Sequence, residues 1–234
     1  DEKYQEVPLQ EIEQELMNGD PYTERVFLTG ADPLAVGYER MLRILKLIKK
    51  YFPYCGCVAA YASVRSLKRY SVGELAALHR EGLRLLYVGF ETGNDEVLAF
   101  MKKGNTAEEA IQQGRKLTEA NMIFNAIIMY GIAGKDKCVE NAKRTAKMLN
   151  QLKPRKIITM NLTVFQGTEL ASLVKEGKFA EAGVKEKIRE IKSLIENLDV
   201  EKRVEFDTTH ATNLVKLQGW LPEQREEFIE KLED

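Results

Sequence analysis

The sequence has few cysteines and histidines, almost no net charge and no long apolar run. Its 234 residues include three cysteines and two histidines, and 35 basic residues balance 36 acidic ones to a net charge of -1. An odd, sparse set of cysteines argues against a disulfide framework and favours a reducing, cytoplasmic location. The balanced charge gives no indication of nucleic-acid binding, and the short apolar runs predict no membrane span.

Strand and helix patterns alternate along the whole chain. Short apolar runs ending at turns predict buried strands, and each is followed by an amphipathic helical pattern. The predicted strands are 25–30, 57–64, 84–91, 123–130, 156–164 and 203–207. The predicted helices are 8–18, 37–51, 71–81, 94–102, 106–120, 137–151, 167–176, 183–198 and 222–233. This alternation predicts an α/β fold with a parallel sheet, either doubly wound or most of a barrel.

Function is expected at the carboxyl ends of these strands, where parallel α/β folds bind their ligands. Asp32 follows the first strand and could accept hydrogen bonds from an ammonium group or simply cap a helix. Glu91 ends an apolar strand, where a charge needs either a ligand or a partner such as a lysine. The turn at 131–134 contains two glycines around Ile132 and Ala133, and its backbone could bind the edge of an adenine.

These strand ends, in this order, resemble the radical S-adenosylmethionine superfamily, in particular its methylthiotransferase-like and coproporphyrinogen-dehydrogenase-like branches. The family's Gly-Gly-Glu-Pro turn is similar to Gly-Ala-Asp-Pro at 30–33. Its Glu-Ser-Gly-Ser-Asp-Glu-Val-Leu segment resembles Glu-Thr-Gly-Asn-Asp-Glu-Val-Leu at 91–98, and its Met-Asn-Lys/Arg-Gly segment resembles Met-Lys-Lys-Gly at 101–104. Its Gly-Leu-Pro-Gly turn resembles Gly-Ile-Ala-Gly at 131–134, and a later Pro-Leu-x-Gly-Thr-x-Leu turn resembles Phe-Gln-Gly-Thr-Glu-Leu at 165–170.

The resemblance implies a partial (β/α)6-type, TIM-like barrel of parallel strands whose first βα unit is missing. It implies one domain over 1–234, with the barrel core at 5–213 and a C-terminal helical extension at 214–234. It also implies that S-adenosylmethionine is the cofactor. Residues 30–32 would receive the amine of its methionine part, Glu91 the ribose hydroxyls or the amine, and Lys103 the carboxylate. The full set of implied cofactor-binding residues is Gly30, Ala31, Asp32, Ser63, Arg65, Glu91, Lys103, Asn125, Ile132 and Ala133.

Three further polar residues could face a substrate, whose identity the sequence does not indicate. Asn161 lies on the strand at 156–164, at one of the alternating positions that could line the cavity. His210 and Asn213 lie in a segment that resembles a Ser/Asn-rich stretch of some family members. A capping or turn role is the alternative for His210 and Asn213. The row of Lys and Glu at 175–202 predicts a solvated helical face.

The family's Cys-x-x-x-Cys-x-x-Cys loop, which binds a [4Fe–4S] cluster, does not occur in these residues. Cys55 and Cys57 are at the beginning of a predicted strand and Cys138 begins a helix, so no metal ligands are predicted. Residues 1–18 resemble the segment that follows the family's cysteine loop, so we expect a truncated domain. The cluster, and with it the generation of a 5′-deoxyadenosyl radical, is then expected only in the intact protein.

The missing strand would leave the edge of the strand at 25–30 free, and either self-association through that edge or poor solubility is expected. Two other functions fit the same residues. One is a nucleotide-binding or regulatory barrel without a cluster. The other is a TIM-barrel lyase or aldolase that uses Glu91 and Lys103 as an acid–base pair, which would require a lysine of lowered pKa in a dry pocket. Three cysteines at the family spacing in the sequence preceding Asp1 would decide between them.

Overall fold

The computed structural model describes residues 5–200 and 203–233. Its strands are β1 (Arg25–Leu28), β2 (Cys57–Ser63), β3 (Leu83–Glu91), β4 (Ile123–Tyr130), β5 (Lys156–Asn161), β6 (Val204–Asp207) and β7 (Gln218–Leu221). Its helices are α1 (Leu9–Met17), α2 (Tyr38–Tyr51), α3 (Val64–Leu67), α4 (Val72–Arg80), α5 (Asp95–Phe100), α6 (Ala107–Glu119), α7 (Cys138–Leu149), α8 (Glu169–Lys175), α9 (Val184–Asn197) and α10 (Arg225–Glu230). A short 3₁₀ helix, Pro33–Val36, follows β1.

The strands form one sheet in which their order is the order of the chain, β1 to β7. The pairs β1–β2, β4–β5 and β5–β6 are parallel, whereas β7 runs antiparallel to β6. A doubly wound sheet reverses its strand order at a switch point. The sequential order therefore excludes that alternative, and the predicted α/β fold, a mostly parallel sheet consistent with part of a TIM-like barrel, is confirmed.

The chain divides into two compact units. Unit 1 comprises Asp1–Val88 and Arg115–Phe124. Its helix α2 buries one stripe, which consists of Met41, Ile44, Leu45 and Ile48. Helix α4 begins with a capping box, because Ser71 Oγ accepts a hydrogen bond from the Glu74 amide while the Glu74 carboxylate accepts one from the Ser71 amide, at 2.7 Å. These local signals explain why both helices could be predicted.

Unit 2 comprises Gly89–Gly114 and Asn125–Asp234. Helices α7 and α9 pack against each other, and α10 packs against α9. The aromatic rings of Phe206 on β6 and Phe228 on α10 are 6.2 Å apart and at most 1% exposed. This end of the core therefore depends on the last strands and the last helix of the chain.

The structure differs from the sequence prediction mainly after residue 213. Residues 214–234 were predicted as a helical extension, but they also form β7, which pairs with β6. A strand of four residues without strict alternation gives no periodic signal, and its pairing depends on a distant partner. The prediction of a single domain stays a prediction, and its limits at residues 1 and 234 lie outside the described residues.

A cavity of about 950 Å³ lies beside β1, the first strand of the sheet order. Apolar residues of β1 and α2 line it, among them Phe27, which is 40% exposed, and Met41. The pairing of this strand edge with a second copy stays a prediction. Within the described ranges, no helix is both long enough and apolar enough to cross a membrane.

Candidate functional site

Glu91 ends β3 in a backbone conformation that side chains rarely adopt. Its φ is 66°, and the amide of Thr92 donates to the carbonyl of Phe90 at 2.8 Å, which closes a tight turn around Glu91. A non-glycine residue in this region costs about 1–3 kcal/mol, and such residues concentrate at functional sites. Gly89 makes room for the carboxylate, since a Cβ at residue 89 would lie 3.0 Å from Glu91 Oε1.

Lys103 is the ionic partner of Glu91. After α5 the chain reverses at Lys102, whose φ is 55°, and the amide of Lys103 donates to the carbonyl of Leu98 at 3.0 Å. This reversal places Lys103 Nζ 3.2 Å from Glu91 Oε1, with 32% and 20% of the two side chains exposed. The structure thus brings together the two residues with opposite charges that the sequence predicted for one ligand, and it leaves both accessible.

The turn at 131–134 is buried along its whole length. Gly131 and Gly134 have φ of 77° and 79°, and the Gly134 amide donates to the Gly131 carbonyl at 3.2 Å. Ile132 and Ala133 are only 1% and 7% exposed and pack against Val97. Their predicted contact with adenine stays a prediction. The packing shows that these side chains anchor the turn.

A buried polar network lies behind this turn, and the sequence prediction missed it. Glu190 on α9 is 3% exposed, and its carboxylate accepts hydrogen bonds from the Gly131 amide at 2.7 Å and from Asn141 Nδ2 at 2.8 Å. Asn141 Oδ1 in turn accepts from Thr92 Oγ1 at 2.7 Å. The network therefore connects the turn that follows β4 with the residue that follows Glu91.

The predicted solvated face at 175–202 is wrong for Lys187 and Glu190, which are 8% and 3% exposed. Lys187 lies four residues before Ile191 and Glu190 lies four residues before Leu194, on the buried stripe of α9. This spacing was a usable signal, because a charge on the apolar stripe of an amphipathic helix must have a buried partner.

Burial raises the pKa of the Glu190 carboxyl, although the hydrogen bonds from Asn141 and Gly131 act in the opposite direction. Other titratable groups also face this carboxyl. Lys187 on the same helix and Cys138 on α7 both lower the pKa of Glu190. The hydroxyl of Tyr130 on β4 interacts with the same charge, and burial raises the pKa of both Cys138 and Tyr130. Glu190 is thus the acceptor at the centre of this network.

Stability should depend on pH through Glu190. Because its pKa is higher in the folded protein than the ordinary 4.5, the folded state binds the proton more tightly than the unfolded state does. The contribution to the free energy of unfolding is therefore largest below the ordinary pKa and decreases as pH rises through the raised one. We expect Glu190→Gln to flatten this slope in urea unfolding curves recorded across the acidic range. An identical slope in the variant would contradict the assignment.

In unit 1, the structure brings Asp32 and Ser63 together. Ser63 Oγ donates to Asp32 Oδ2 at 2.6 Å, and Ser66 Oγ donates to Asp32 Oδ1 at 2.9 Å. The Ser63 amide also donates to Oδ1, at 3.3 Å. A carboxylate has four acceptor positions, so Oδ2 retains one for an ammonium group, as the prediction requires. Gly30 precedes Ala31 with a φ of 107°, and Arg65 is exposed on α3.

Asn125 lies near the amino end of β4, in register with Lys156, whereas the turn at 131–134 follows the carboxyl end of that strand. At about 3.3 Å per residue, the strand separates Asn125 from that turn by more than 15 Å. The structure therefore does not bring Asn125 to the turn. Its side chain is 3% exposed, and within the described residues its Oδ1 has no hydrogen-bond partner.

The three predicted substrate residues lie in unit 2 near the end of β5. Asn161 Nδ2 donates to the Thr212 carbonyl at 3.2 Å, and Asn213 Nδ2 donates to the Thr159 carbonyl at 2.7 Å. The exposed His210 hydrogen-bonds with Thr212 at 2.8 Å. Asn213 thus anchors its loop to β5, and its predicted contact with a substrate stays a prediction. Asn161 Oδ1 is buried without a partner among the described residues, which suits a donor from a ligand.

The described residues do not fit an iron–sulfur cluster. Within 5–200 and 203–233, no group of three or more His, Cys, Asp or Glu side chains could bind a metal ion. Cys55 Sγ donates to the Cys57 carbonyl at 3.6 Å, and Cys138 Sγ donates to the Gly134 carbonyl at 3.7 Å. The thiols of Cys55 and Cys138 therefore have structural contacts of their own.

The residues of unit 2 do fit S-adenosylmethionine, a ligand with an ammonium group, a carboxylate, a ribose diol and an adenine. Glu91 and Lys103 offer one charge of each sign to the polar groups. The unpartnered Asn161 Oδ1 offers a further acceptor. Each of these groups lies at or just after the carboxyl end of a strand: Glu91 at the end of β3, the turn at 131–134 after β4, and Asn161 at the end of β5. The ion pair holds Lys103 beside Glu91.

Comparison with known proteins gives the following matches. A family model for the radical SAM superfamily matches residues 1–146. Elp3 of the archaeon Methanocaldococcus infernus, lacking residues 1–46, is 17% identical over 89% of this chain and 53% of its own, with a TM-score of 0.62. Escherichia coli coproporphyrinogen III oxidase (HemN), described as a radical SAM enzyme, is 18% identical over 80% of this chain and 44% of its own, with a TM-score of 0.65. Methylornithine synthase (PylB) is 16% identical over 85% and 55%, with a TM-score of 0.60.

The chain thus spans about half the length of these structures. The TM-scores show that the fold is shared, and at such low identity nothing further follows from these matches. No curated protein matches the sequence.

Proposed function

Because the chain belongs to the radical S-adenosylmethionine superfamily, we propose that it is the cofactor-binding part of a radical S-adenosylmethionine enzyme whose substrate is unknown. Within the superfamily, the segments at 91–98 and 101–104 favour the methylthiotransferase-like and coproporphyrinogen-dehydrogenase-like branches. The observation that carries the proposal is Glu91, a carboxylate in a strained turn at a strand end, 3.2 Å from Lys103. Strain at a partly exposed ion pair has no structural benefit, but it does aim a charge at a ligand.

We propose that the two charges bind the polar end of S-adenosylmethionine. Glu91 accepts hydrogen bonds from the amine or the ribose hydroxyls, and Lys103 donates to the carboxylate. In the free protein the two side chains neutralise each other, so neither charge is left unpaired before the cofactor arrives. The backbone of 131–134 then pairs with the adenine edge. The roles predicted for Asp32 and Ser63 stay predictions.

When bound, a [4Fe–4S] cluster would supply the electron that cleaves the cofactor. Because the described residues do not fit such a cluster, we propose that its cysteines belong to a part of the intact protein outside these 234 residues. The chain alone should then bind the cofactor without cleaving it.

Of the alternatives, the lyase is the less favoured. An acid–base lysine needs a dry pocket without a counter-ion. Lys103 instead has a third of its side chain exposed and pairs with Glu91. A nucleotide-binding barrel without a cluster shares the binding residues proposed here and differs only in what the intact protein adds.

Calorimetric titration with S-adenosylmethionine tests the proposal. We expect the chain to bind the cofactor, and Glu91→Ala to weaken binding by about 10- to 100-fold, because a hydrogen bond to a charged group contributes roughly 1.5–3 kcal/mol. Glu169→Ala is the matched control. It removes an exposed ion pair with Lys102, the neighbour of Lys103, and should leave the affinity unchanged. No binding by the unaltered chain, or equal affinities of all three proteins, would refute the proposal.

A further inference from the structure

We propose that Glu190 is a positioning residue of the cofactor site. Its buried carboxylate aligns the two turns that would contact the nucleoside part of S-adenosylmethionine. This inference rests on the proposed function for the identity of the ligand. It concerns residues that touch no part of the cofactor: Glu190, Asn141, Thr145 and Thr92.

The carboxylate of Glu190 fixes the orientation of Asn141. An ionised carboxylate can only accept hydrogen bonds. Asn141 must therefore present its Nδ2 to Glu190, at 2.8 Å, and this leaves its Oδ1 as an acceptor that faces Thr92, at 2.7 Å. The second oxygen of Glu190 accepts from the Gly131 amide at 2.7 Å. One buried charge thus determines both contacts.

The donor and acceptor roles of the two threonine hydroxyl groups are determined in the same way. Thr92 Oγ1 gives its only proton to Asn141, so in its contact with Thr145 Oγ1, at 3.1 Å, Thr145 must be the donor. Thr145 Oγ1 also accepts from the Gly93 amide at 3.1 Å, and Thr92 Oγ1 accepts from the Asn94 amide at 3.2 Å. Every proton in this chain of contacts therefore has one allowed position, and the positions follow from the charge on Glu190.

The burial of the network makes these contacts strong. Thr92, Asn141 and Thr145 are between 0% and 3% exposed, so water does not compete for their hydrogen bonds. The two ends of the network are backbone amides, Gly131 on one side and Gly93 on the other. The first belongs to the turn that would bind adenine, and the second follows Glu91. A change at Glu190 should consequently alter both turns together.

Glu190→Gln should disturb this order. A glutamine at 190 offers one acceptor and one donor, so with Asn141 in its present orientation it can satisfy either the Gly131 amide or Asn141 Nδ2 but not both. Satisfying both contacts requires the Asn141 amide to rotate, which reverses the donor and acceptor roles at Thr92 and Thr145. The reciprocal exchange is available, because Glu190→Gln combined with Asn141→Asp again gives each contact one donor and one acceptor. In the double variant, the introduced aspartate accepts from both Thr92 and the glutamine, and the glutamine oxygen accepts from Gly131. This pair of substitutions also retains the buried charge.

The test compares four proteins, each as the 234-residue chain: unaltered, Glu190→Gln, the double variant, and Glu196→Gln as a control on the exposed side of the same helix. Calorimetry with S-adenosylmethionine and with 5′-methylthioadenosine, which lacks the amino-acid part, gives the affinities. Hydrogen exchange of the amides of 92–94 and 131–134 is recorded without ligand.

We expect Glu190→Gln to weaken both ligands by about tenfold, to a similar degree because the nucleoside is the part affected, and to accelerate exchange in both turns. The double variant should restore affinity and protection, and the control should change neither. If the unaltered chain binds S-adenosylmethionine and Glu190→Gln binds it equally well, the inference is wrong and the proposed function stands. If the unaltered chain binds neither ligand, the proposed function fails, and equal exchange rates in the four proteins would then also refute the coupling of the turns.

Discussion

Replacing Phe206 by alanine is expected to lower the free energy of unfolding of unit 2 by about 3–5 kcal/mol, the cost of removing a fully buried aromatic side chain. The ring is 0% exposed, and it contacts Phe228, which is 1% exposed, with their centroids 6.2 Å apart. Because Phe206 is on β6 and Phe228 is on α10, the cavity would open between these two elements.

Urea unfolding measured by tryptophan fluorescence tests this prediction. The chain has a single tryptophan, Trp220, which lies in β7, so the signal reports on unit 2. We expect a lower midpoint with an unchanged m-value. Phe165→Ala makes the same chemical change at a ring that is 65% exposed and should stay within about 0.5 kcal/mol of the unaltered protein. A loss at Phe206 as small as that of the control would show that the ring does not pack in the core.

Gly93→Ala should strongly destabilise the turn after β3. A Cβ at this position would lie 2.3 Å from the carbonyl oxygen of Arg144 and 2.9 Å from the Cα of Thr145, which are backbone atoms of α7. A side chain could rotate away, but a helix backbone cannot, so the turn and α7 would have to separate. We expect a loss of about 3 kcal/mol, the upper end for overpacking.

The separation would also lengthen the hydrogen bond from the Gly93 amide to Thr145 Oγ1, so faster exchange of that amide should accompany the loss. Gly183→Ala is the control in the same unit. It precedes α9 with a φ of -72°, and its added Cβ would meet only Glu186 Oε2, at 4.0 Å. The control should lose less than about 1 kcal/mol. A stable Gly93→Ala variant would mean that the turn is not seated against α7.

Local signals predicted the elements of the fold well. Strand β4 begins and ends at the predicted residues, and α2 and α9 differ from their predictions by a single residue at some ends. In each case, an apolar pattern of the right period is bounded by glycine, proline or a cap. The choice between a doubly wound sheet and a barrel could not be made in this way, because it depends on strand order, which only the three-dimensional structure shows.

The candidate site was predictable where a charge stands at a strand end, as with Glu91 and Lys103. The distance of Asn125 from the turn after β4 was not predicted, because that distance depends on how far along the strand the residue lies. Glu190 was missed for another reason. In a segment rich in Lys and Glu, one more carboxylate looks solvated, and only its position on the apolar stripe of α9 distinguishes it.

The hydrogen-bond order between Glu190 and Asn141 also limits how the sequence can evolve. A lone change at either position reverses or breaks the donor order of this buried network, whereas a joint exchange of acid and amide preserves it. In an alignment of relatives, these two columns should therefore exchange as a pair, acid for amide and amide for acid, while an exposed carboxylate such as Glu196 on the same helix varies freely.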